Sequence, residues 1–547
     1  MCILTPVPEP SNQESSPTER SSEARPPGAP GRASWLGCLA LGLGASLYYL
    51  FVEIYLLGGE LGLPLDDSWI HLQFARNLAA GNGLSFNPGV LMPGSTAPLW
   101  TALLSLIFLL PGNPLFWTKL LGVILYVAGG LLTYRLAREL DLDRWAASLA
   151  MVVTMATSWL VWSALSGLEI SLFVVLSLAG ILLHIQERRD PGRFPLSLPV
   201  LALGFLSRPE AALLILAAVA DRLLLFRGAP DRGLQWSPPR WRDWILALGL
   251  VGVIVAPVVL FNLSVTGSIL PTTFGAKSGG VARWLPEMGY LYTVFGIFFQ
   301  AQPWMALFAA GGALLLIADL GTERDRGLLP ALWLFGLPFA YGLIDPPGKF
   351  NLVGNFGRYY FPLFPVLVIL GVAAVQPLGR RLARSLAPGF VRVPIRVLAV
   401  LVLLLPTFAE LVQGAGRYAQ AVVNVQDSDV RAARWLAGRL PAEAVLGVGD
   451  IGAIKYLLPN DVVDLAGIVN PEIKEWGAAA FLEHHQPDYL VIFPNWLHRL
   501  FDDVSDFQVV QEIPIANNIT MAGDVLVVYS TPWTRFPLRE PAPGATP

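Results

Sequence analysis

Cysteine and charge are both scarce in this chain. Its 547 residues include two cysteines, Cys2 in a polar tail and Cys38 in an apolar run, which excludes a disulfide scaffold and a cysteine-based metal site. Charged residues are 14% of the total, against about 25% in soluble domains. The formal net charge is −3, so the chain has no global basic surface and nucleic acid is not a partner. The five histidines form no H-E-x-x-H, and there is no P-loop, which removes a zinc protease and an ATP-driven pump of that kind. What the chain has instead is apolar residue: 54% of its length, with a mean hydropathy of +0.56. Most of it is dissolved in lipid rather than water.

Residues 1–33 are rich in Pro, Ser and Glu without an apolar period and read as a disordered cytoplasmic tail. The first apolar run, Trp35 to Leu57, is too long for a signal-peptide core and reads as a retained anchor. Further runs of about the length a bilayer needs lie near 114–136, 145–164, 168–186, 194–207, 209–226, 243–262, 303–320, 328–344, 360–376 and 395–412. Segments 98–110 and 281–302 are shorter or mixed and are taken as interfacial. With the N-terminus inside, the cytoplasmic loops up to residue 413 then carry 21 arginines and the opposite loops six basic residues, the asymmetry that sorts membrane loops. The expected fold is therefore an all-α polytopic membrane protein of about eleven transmembrane helices, spanning 34–413, with a first outer loop over 58–113. From about 414 short β-rich runs alternate with helical ones, which predicts a small extracytoplasmic α/β domain over 414–535, followed by a disordered tail over 536–547. Localisation in the plasma (inner) membrane follows.

The polar chemistry concentrates on the outer side. Asp66 and Asp67 open a helix expected over Ser68–Ala80, with Asp67 or Ser68 as N-cap and Gly81 as its stop. Trp69, Ile70, Phe74 and Leu78 suggest that this helix rides on the membrane surface. One carboxylate can cap while the other faces a cleft as general base, beside Trp69, His71 and Arg76. Glu169, in a small outer turn within SGLE, is either a functional carboxylate at the membrane edge or a helix-end charge. Arg208 and Glu210 flank Pro209 as a local ion pair or an anion site. Lys277, Lys349 and Arg358 are cations on the side the sorting rule disfavours, suited to a phosphate, with Tyr359 beside the last. Trp69, Trp100 and Trp162 offer flat faces for a sugar ring. Gly447-Val-Gly449-Asp-Ile-Gly452 matches a dinucleotide fingerprint, but its glycines are better explained by strand–helix packing.

The run DDSWIHLQFARNLAAGNGLSFNPG…STAPLW, then SGLE, LSRPE, GSILPTTFGAK and GRYYFPLFPVL, resembles the membrane-embedded GT-C glycosyltransferases. It looks closest to lipid-linked arabinofuranosyltransferases and is more distantly similar to protein mannosyltransferases and aminoarabinose transferases. The resemblance implies an inverting transfer from a polyprenyl-phosphate sugar, pentofuranose or hexose, to an acceptor hydroxyl on a glycan, lipid or protein at the outer face. It implies Asp66 as base, Asp67 and Glu169 as acceptor-orienting groups, and Arg358, Lys277 and Arg208 as phosphate-binding cations, with His71, Arg76, Trp69 and Tyr359 around the substrate. No cofactor is required; some members use a divalent cation, for which Asp66, Asp67 and Glu169 would be the ligands. Ser95-Thr-Ala-Pro98 stands where relatives carry Asn or Ser before the Pro, which leaves the acceptor contacts open. The competing class is a transporter or flippase of lipid-linked sugars. It predicts a two-sided cavity with polar residues at mid-bilayer, whereas the enzyme predicts Asp66, Glu169 and Arg358 converging on one cleft.

Overall fold

The computed structural model describes residues 32–190, 192–225, 240–269, 284–320, 322, 325–344, 357–385, 389–501 and 503–539. The expected disordered tail lies, up to residue 31, outside the described residues, as do Lys277 and Lys349. Apolar stretches form helices throughout the first 425 residues, since only a helix satisfies its own backbone in lipid. They are α1 (Arg32–Leu56), α2 (Asp66–Ala79), α3 (Pro98–Ile107), α4 (Pro114–Glu139), α5 (Arg144–Met155), α6 (Ser158–Leu165), α7 (Ile170–Arg189), α8 (Ser197–Ser207), α9 (Ala211–Ala220), α10 (Trp241–Thr266), α11 (Met288–Ala301), α12 (Pro303–Ala318), α13 (Leu329–Leu343), α14 (Phe364–Ser385) and α15 (Gly389–Val425).

Among the described residues α1, α4, α7 and α10 are long and apolar enough to cross a membrane, and two bent pairs, α5–α6 (56°) and α11–α12 (117°), raise that number to six if each is one span. Several expected spans are thus broken or short. The run 145–164 is bent after Met155, and the expected boundary between 194–207 and 209–226 falls at Arg208, where Pro209 forbids the helical bond and holds the preceding residue extended (φ −152°, ψ 132°). Residues 98–110 yield only the ten-residue α3, about 15 Å long and too short to span.

Glycine lets the helices approach closely. A Cβ on Gly122 of α4 would lie 1.9 Å from the Ala164 carbonyl oxygen, and one on Gly312 of α12 would lie 2.0 Å from that of Leu370. Gly122→Ala must push α4 and α6 apart. The expected cost is about 1–3 kcal/mol or more, read as a lowered apparent Tm in detergent; an unchanged Tm would contradict this packing.

The C-terminal unit is built on a five-stranded sheet of order β2-β1-β3-β5-β4. Its strands are β1 (Leu446–Val448), β2 (Val462–Asp464), β3 (Tyr489–Ile492), β4 (Gln508–Pro514) and β5 (Val525–Ser530). β1 pairs parallel with β2 and β3, while β5 pairs antiparallel with β3 and β4. The helices α16 (Arg431–Leu436), α17 (Ile451–Leu457), α18 (Glu472–Trp476), α19 (Ala478–His485) and α20 (Pro494–Leu500) cover it. Ser428 does not cap a helix: α15 runs on through a π turn at 426–430, and the Ser428 hydroxyl bonds back to Asn424 O at 2.7 Å. Past β5 the chain stays on the domain, with Tyr489 Oη donating to Phe536 O and Arg539 N to Arg439 O.

α2 sits between the two units rather than on the membrane surface. Trp69, Leu72 and Ala75 pack with Trp100 and Leu104 on the membrane side. Ile70 and Phe74 pack with Val448, Ile451 and Ile454 of the sheet domain. Every residue from Ser68 to Ala75 is buried. The helix begins at Asp66 after an extended Leu65, with no side-chain cap, so neither Asp67 nor Ser68 is the N-cap. It ends where Gly81 takes φ +82°, a conformation glycine adopts freely.

Candidate active site

Successive residues on a helix are about 100° apart, and Asp66 and Asp67 consequently face different bodies. The Asp67 carboxylate accepts from Arg358 Nη2 at 2.6 Å. The Asp66 carboxylate turns to the C-terminal domain, where Oδ2 accepts from Gly452 N at 2.7 Å and Oδ1 from Ala453 N at 2.8 Å. Asp66 thus caps α17 from outside, and the glycine fingerprint has a purpose the sequence did not disclose. A Cβ on Gly452 would lie 2.3 Å from the Asp66 carbonyl oxygen, so residue 452 must be glycine for the loop to reach it.

On the other side of Asp67 the expected residues join into one network. Arg208 Nη1 donates to Glu169 Oε1 at 2.5 Å and Nη2 to Glu210 Oε1 at 2.7 Å. Tyr341 Oη donates to the same Glu210 oxygen at 2.9 Å. His71 Nε2 lies 3.4 Å from Glu169 Oε2. Both guanidinium groups lie against the Tyr359 ring, 5.1 Å from its centre for Arg208 and 5.6 Å for Arg358, so one aromatic side chain serves the two cations. Local sequence explains each placement. Arg208 is extended before Pro209, Glu169 follows Gly167 at φ +79°, and Arg358 follows Gly357 at φ +61°.

This network is short of partners. Ser68 Oγ, His71 Nδ1, Ser207 Oγ, Arg208 Nε and Glu210 Oε2 are buried without a hydrogen bond. Buried polar atoms are normally satisfied, so these unmet groups make the network the candidate place for a polar ligand. Burial alone would raise the Glu169 carboxyl, but Arg208 and then His71 overcome it and hold it at about 2, a permanent anion. Asp66 goes the other way. Burial pushes it up, the two amides pull it back, and Asp67 and Asp464 push it up again, to about 7.

Other expected residues do not reach this network. Arg76 donates to Tyr456 O at 2.8 Å and to Gln73 Oε1 at 2.5 Å and lies over the Tyr456 ring. Trp69 packs on the same ring at 5.2 Å. Both therefore fasten α2 to the C-terminal domain. Trp69, Trp100 and Trp162 are 4%, 0% and 2% exposed, so none offers a free face to a sugar. Asp66, Asp67 and Glu169 each hold separate partners, and among the described residues no three Asp, Glu, His or Cys side chains converge on a metal position. They do not fit a shared divalent ion. Sequence reasoning missed Tyr341, which sits in an apolar helix without signal, and the acidic residues Asp429, Asp450 and Asp464 around Asp66. The motif containing Asp450 was visible, but its Asp was overshadowed by its glycines.

Residues 95–261 match the family of dolichyl-phosphate-mannose-protein mannosyltransferases, and 417–533 match a domain family of unknown function. The chain is 29% identical over 337 residues to the terminal beta-(1->2)-arabinofuranosyltransferase of Corynebacterium glutamicum, covering 58% of this chain and 48% of that protein. It therefore spans about half the length of that curated relative. Its fold is similar to that of ArnT from Cupriavidus metallidurans bound to undecaprenyl phosphate (TM-score 0.57, 15% identity, 91% of this chain and 98% of that one). It is also similar to that of the apo oligosaccharyltransferase of Archaeoglobus fulgidus (TM-score 0.54, 12% identity, 83% of this chain and 69% of that one). The resemblance to GT-C superfamily membrane glycosyltransferases, carried in the sequence by five motifs, is shown by these matches together.

Proposed function

We propose that this protein is an inverting glycosyltransferase that moves a sugar from a polyprenyl-phosphate donor to an acceptor hydroxyl of the cell envelope. In this reading the site lies at the outer face of the inner membrane and the C-terminal domain is extracytoplasmic. The observation that carries it is the juxtaposition of Asp66, poised near neutrality, with the chain of ionic contacts from Asp67 through Arg358 and Tyr359 to Arg208, Glu169 and His71. The relatives add weight, since one is an arabinofuranosyltransferase and another binds undecaprenyl phosphate.

The residues suit the steps of such a transfer. Asp66 takes the proton of the acceptor hydroxyl; its two backbone amides fix the carboxylate while leaving each oxygen a further lone pair. The acceptor oxygen then forms its bond to the anomeric carbon from the face opposite the phosphate. The carbon–oxygen bond to the polyprenyl phosphate breaks, and the electron pair leaves with the phosphate. Arg358, with Arg208 behind the same tyrosine, offsets that growing negative charge in a site shielded from water. Lys277, expected to help, lies outside the described residues.

The test is transfer of labelled sugar from polyprenyl-phosphate pentose and hexose donors by the full-length protein in detergent. Arg358→Gln should lower the rate by about 10²–10³-fold in protein that still folds, the Gln amide keeping a donor for Asp67. Transfer from none of the donors, or full activity in Arg358→Gln, would contradict the reading.

A further inference from the structure

Two carboxyl groups beside Asp66 have no part in the steps above. Asp450 stands at the N-cap of α17, yet its side chain makes no cap bond. The amides of Gly452 and Ala453 are taken by Asp66, reaching across from α2. Asp429, in the π turn of residues 426–430, is 0% exposed, and neither of its carboxyl oxygens has a partner. The helix α17 packs against both α2 and the π turn, so Asp66, Asp450 and Asp429 stand where these three elements meet.

The nearby basic groups with described contacts are engaged elsewhere. Arg358 is held by Asp67, Arg76 by Tyr456 O and Gln73, and Lys455 by Asn460 O. Asp464, the other acid of the cluster, is occupied by the amides of its own loop, Ala466 N at 2.8 Å and Val469 N at 2.7 Å. What remains is Asp450, half-buried and without a cap bond, and Asp429, fully buried with nothing donating to it. An unsatisfied buried carboxyl is costly, and the cost is removed when a ligand supplies the missing hydrogen bonds.

We infer that Asp450 and Asp429 form the hydroxyl-binding end of the acceptor site, taking adjacent hydroxyl groups of a sugar residue, so that the acceptor is a glycan. This rests on the transfer reaction proposed above and deepens it. Three features point to sugar hydroxyls rather than to a cation. No three ligating side chains converge on a metal position among the described residues. Burial raises both carboxyls well above the usual range, which favours the neutral form, and a neutral carboxyl both donates and accepts, as a hydroxyl does. The pair also adjoins Asp66, so a sugar held there presents a neighbouring hydroxyl to the base. Asp450 is partly exposed and meets the sugar first; Asp429 forms the floor.

The test is binding of short arabinofuranosyl and mannopyranosyl oligosaccharides to the full-length protein in lipid nanodiscs, without donor. Wild type should bind at least one series. Asp450→Ala and Asp429→Ala should each weaken binding by about tenfold, the loss of one to two hydrogen bonds, while the exposed Asp503→Ala should not. Asp450→Ala carries the test if the buried Asp429→Ala does not fold. Binding by Asp450→Ala within about twofold of wild type, or no binding of either series by wild type, would overturn the inference. The donor assay reads the transfer reaction separately: saccharide binding with no transfer would sink that reaction but not the glycan site, and transfer with no saccharide binding would do the reverse.

Discussion

Asp66→Asn is expected to lower sugar transfer by about 10²–10⁴-fold, the range a positioned general base contributes. The substitution nearly preserves shape, and one oxygen still accepts from the α17 amides, so folding should survive. The pH profile separates a base from a structural cap. Because Asp66 is raised to about 7, wild-type kcat/KM should climb as pH rises through that value and level off above it. In Asp66→Asn the residual rate should lose that limb. Stability should move in the opposite sense. A carboxyl raised on folding stabilises fully below its unfolded pKa of about 3.9. That contribution is lost as pH rises through about 7. Wild type should therefore become more active and less thermostable over the same interval; Asp66→Asn should lose the rise in activity and show a shallower fall in stability, the remainder coming from Asp429, Asp450 and Asp464, which burial also raises. A wild-type profile flat between pH 6 and 8, or full activity in Asp66→Asn, would move the base to another residue.

This division of labour between adjacent aspartates was half legible in the sequence. That Asp66, Asp67, Glu169, Arg208 and Arg358 are candidates could be read from their cost at a membrane edge and from the motifs that contain them. Which way each points could not. α2 carries apolar residues at 69, 72 and 75 and again at 70 and 74, which read in one dimension as a single broad stripe. They are two narrower faces packed on two bodies, so a helix expected at the membrane surface is buried on both sides. The break at Pro209 was legible, since proline ends the helix before it; the bend after Met155 was not, because hydropathy does not register direction. Strand β4 carries a weak sequence signal because it is an exposed edge, with Val509 56% exposed, and its period is interrupted by a bulge between Val509 and Gln511. Asp429 carried no signal at all: its meaning comes from residues 363 and 21 positions away, Asp66 and Asp450.

The largest expected loss of stability lies in a buried ion pair that holds the start of the first outer loop. Glu53 in α1 is 0% exposed; its Oε2 accepts from Lys119 Nζ at 3.0 Å and from Tyr418 Oη at 2.9 Å. Lys119 also donates to Leu165 O at 3.1 Å and to Tyr418 Oη at 2.5 Å. The second Glu53 oxygen accepts from Gly62 N at 2.9 Å, four residues before Asp66. α1, α4, α15 and the loop that carries the base are thus tied by one charge pair. Removing one member strands the other in an apolar interior, and Glu53→Ala or Lys119→Ala should each cost about 3–5 kcal/mol. Removing both charges together should cost far less. In the double variant Glu53→Gln, Lys119→Met, the Gln oxygen still accepts from Gly62 N, Met fills the volume of the Lys stem, and Tyr418 retains its bond to Leu165 O at 3.1 Å. The apparent Tm of the double variant should recover most of what either alanine variant loses. Transfer activity should recover with it, since Gly62 and hence Asp66 keep their places. Additive losses in the double variant would mean that the charge itself, rather than its pairing, holds the loop.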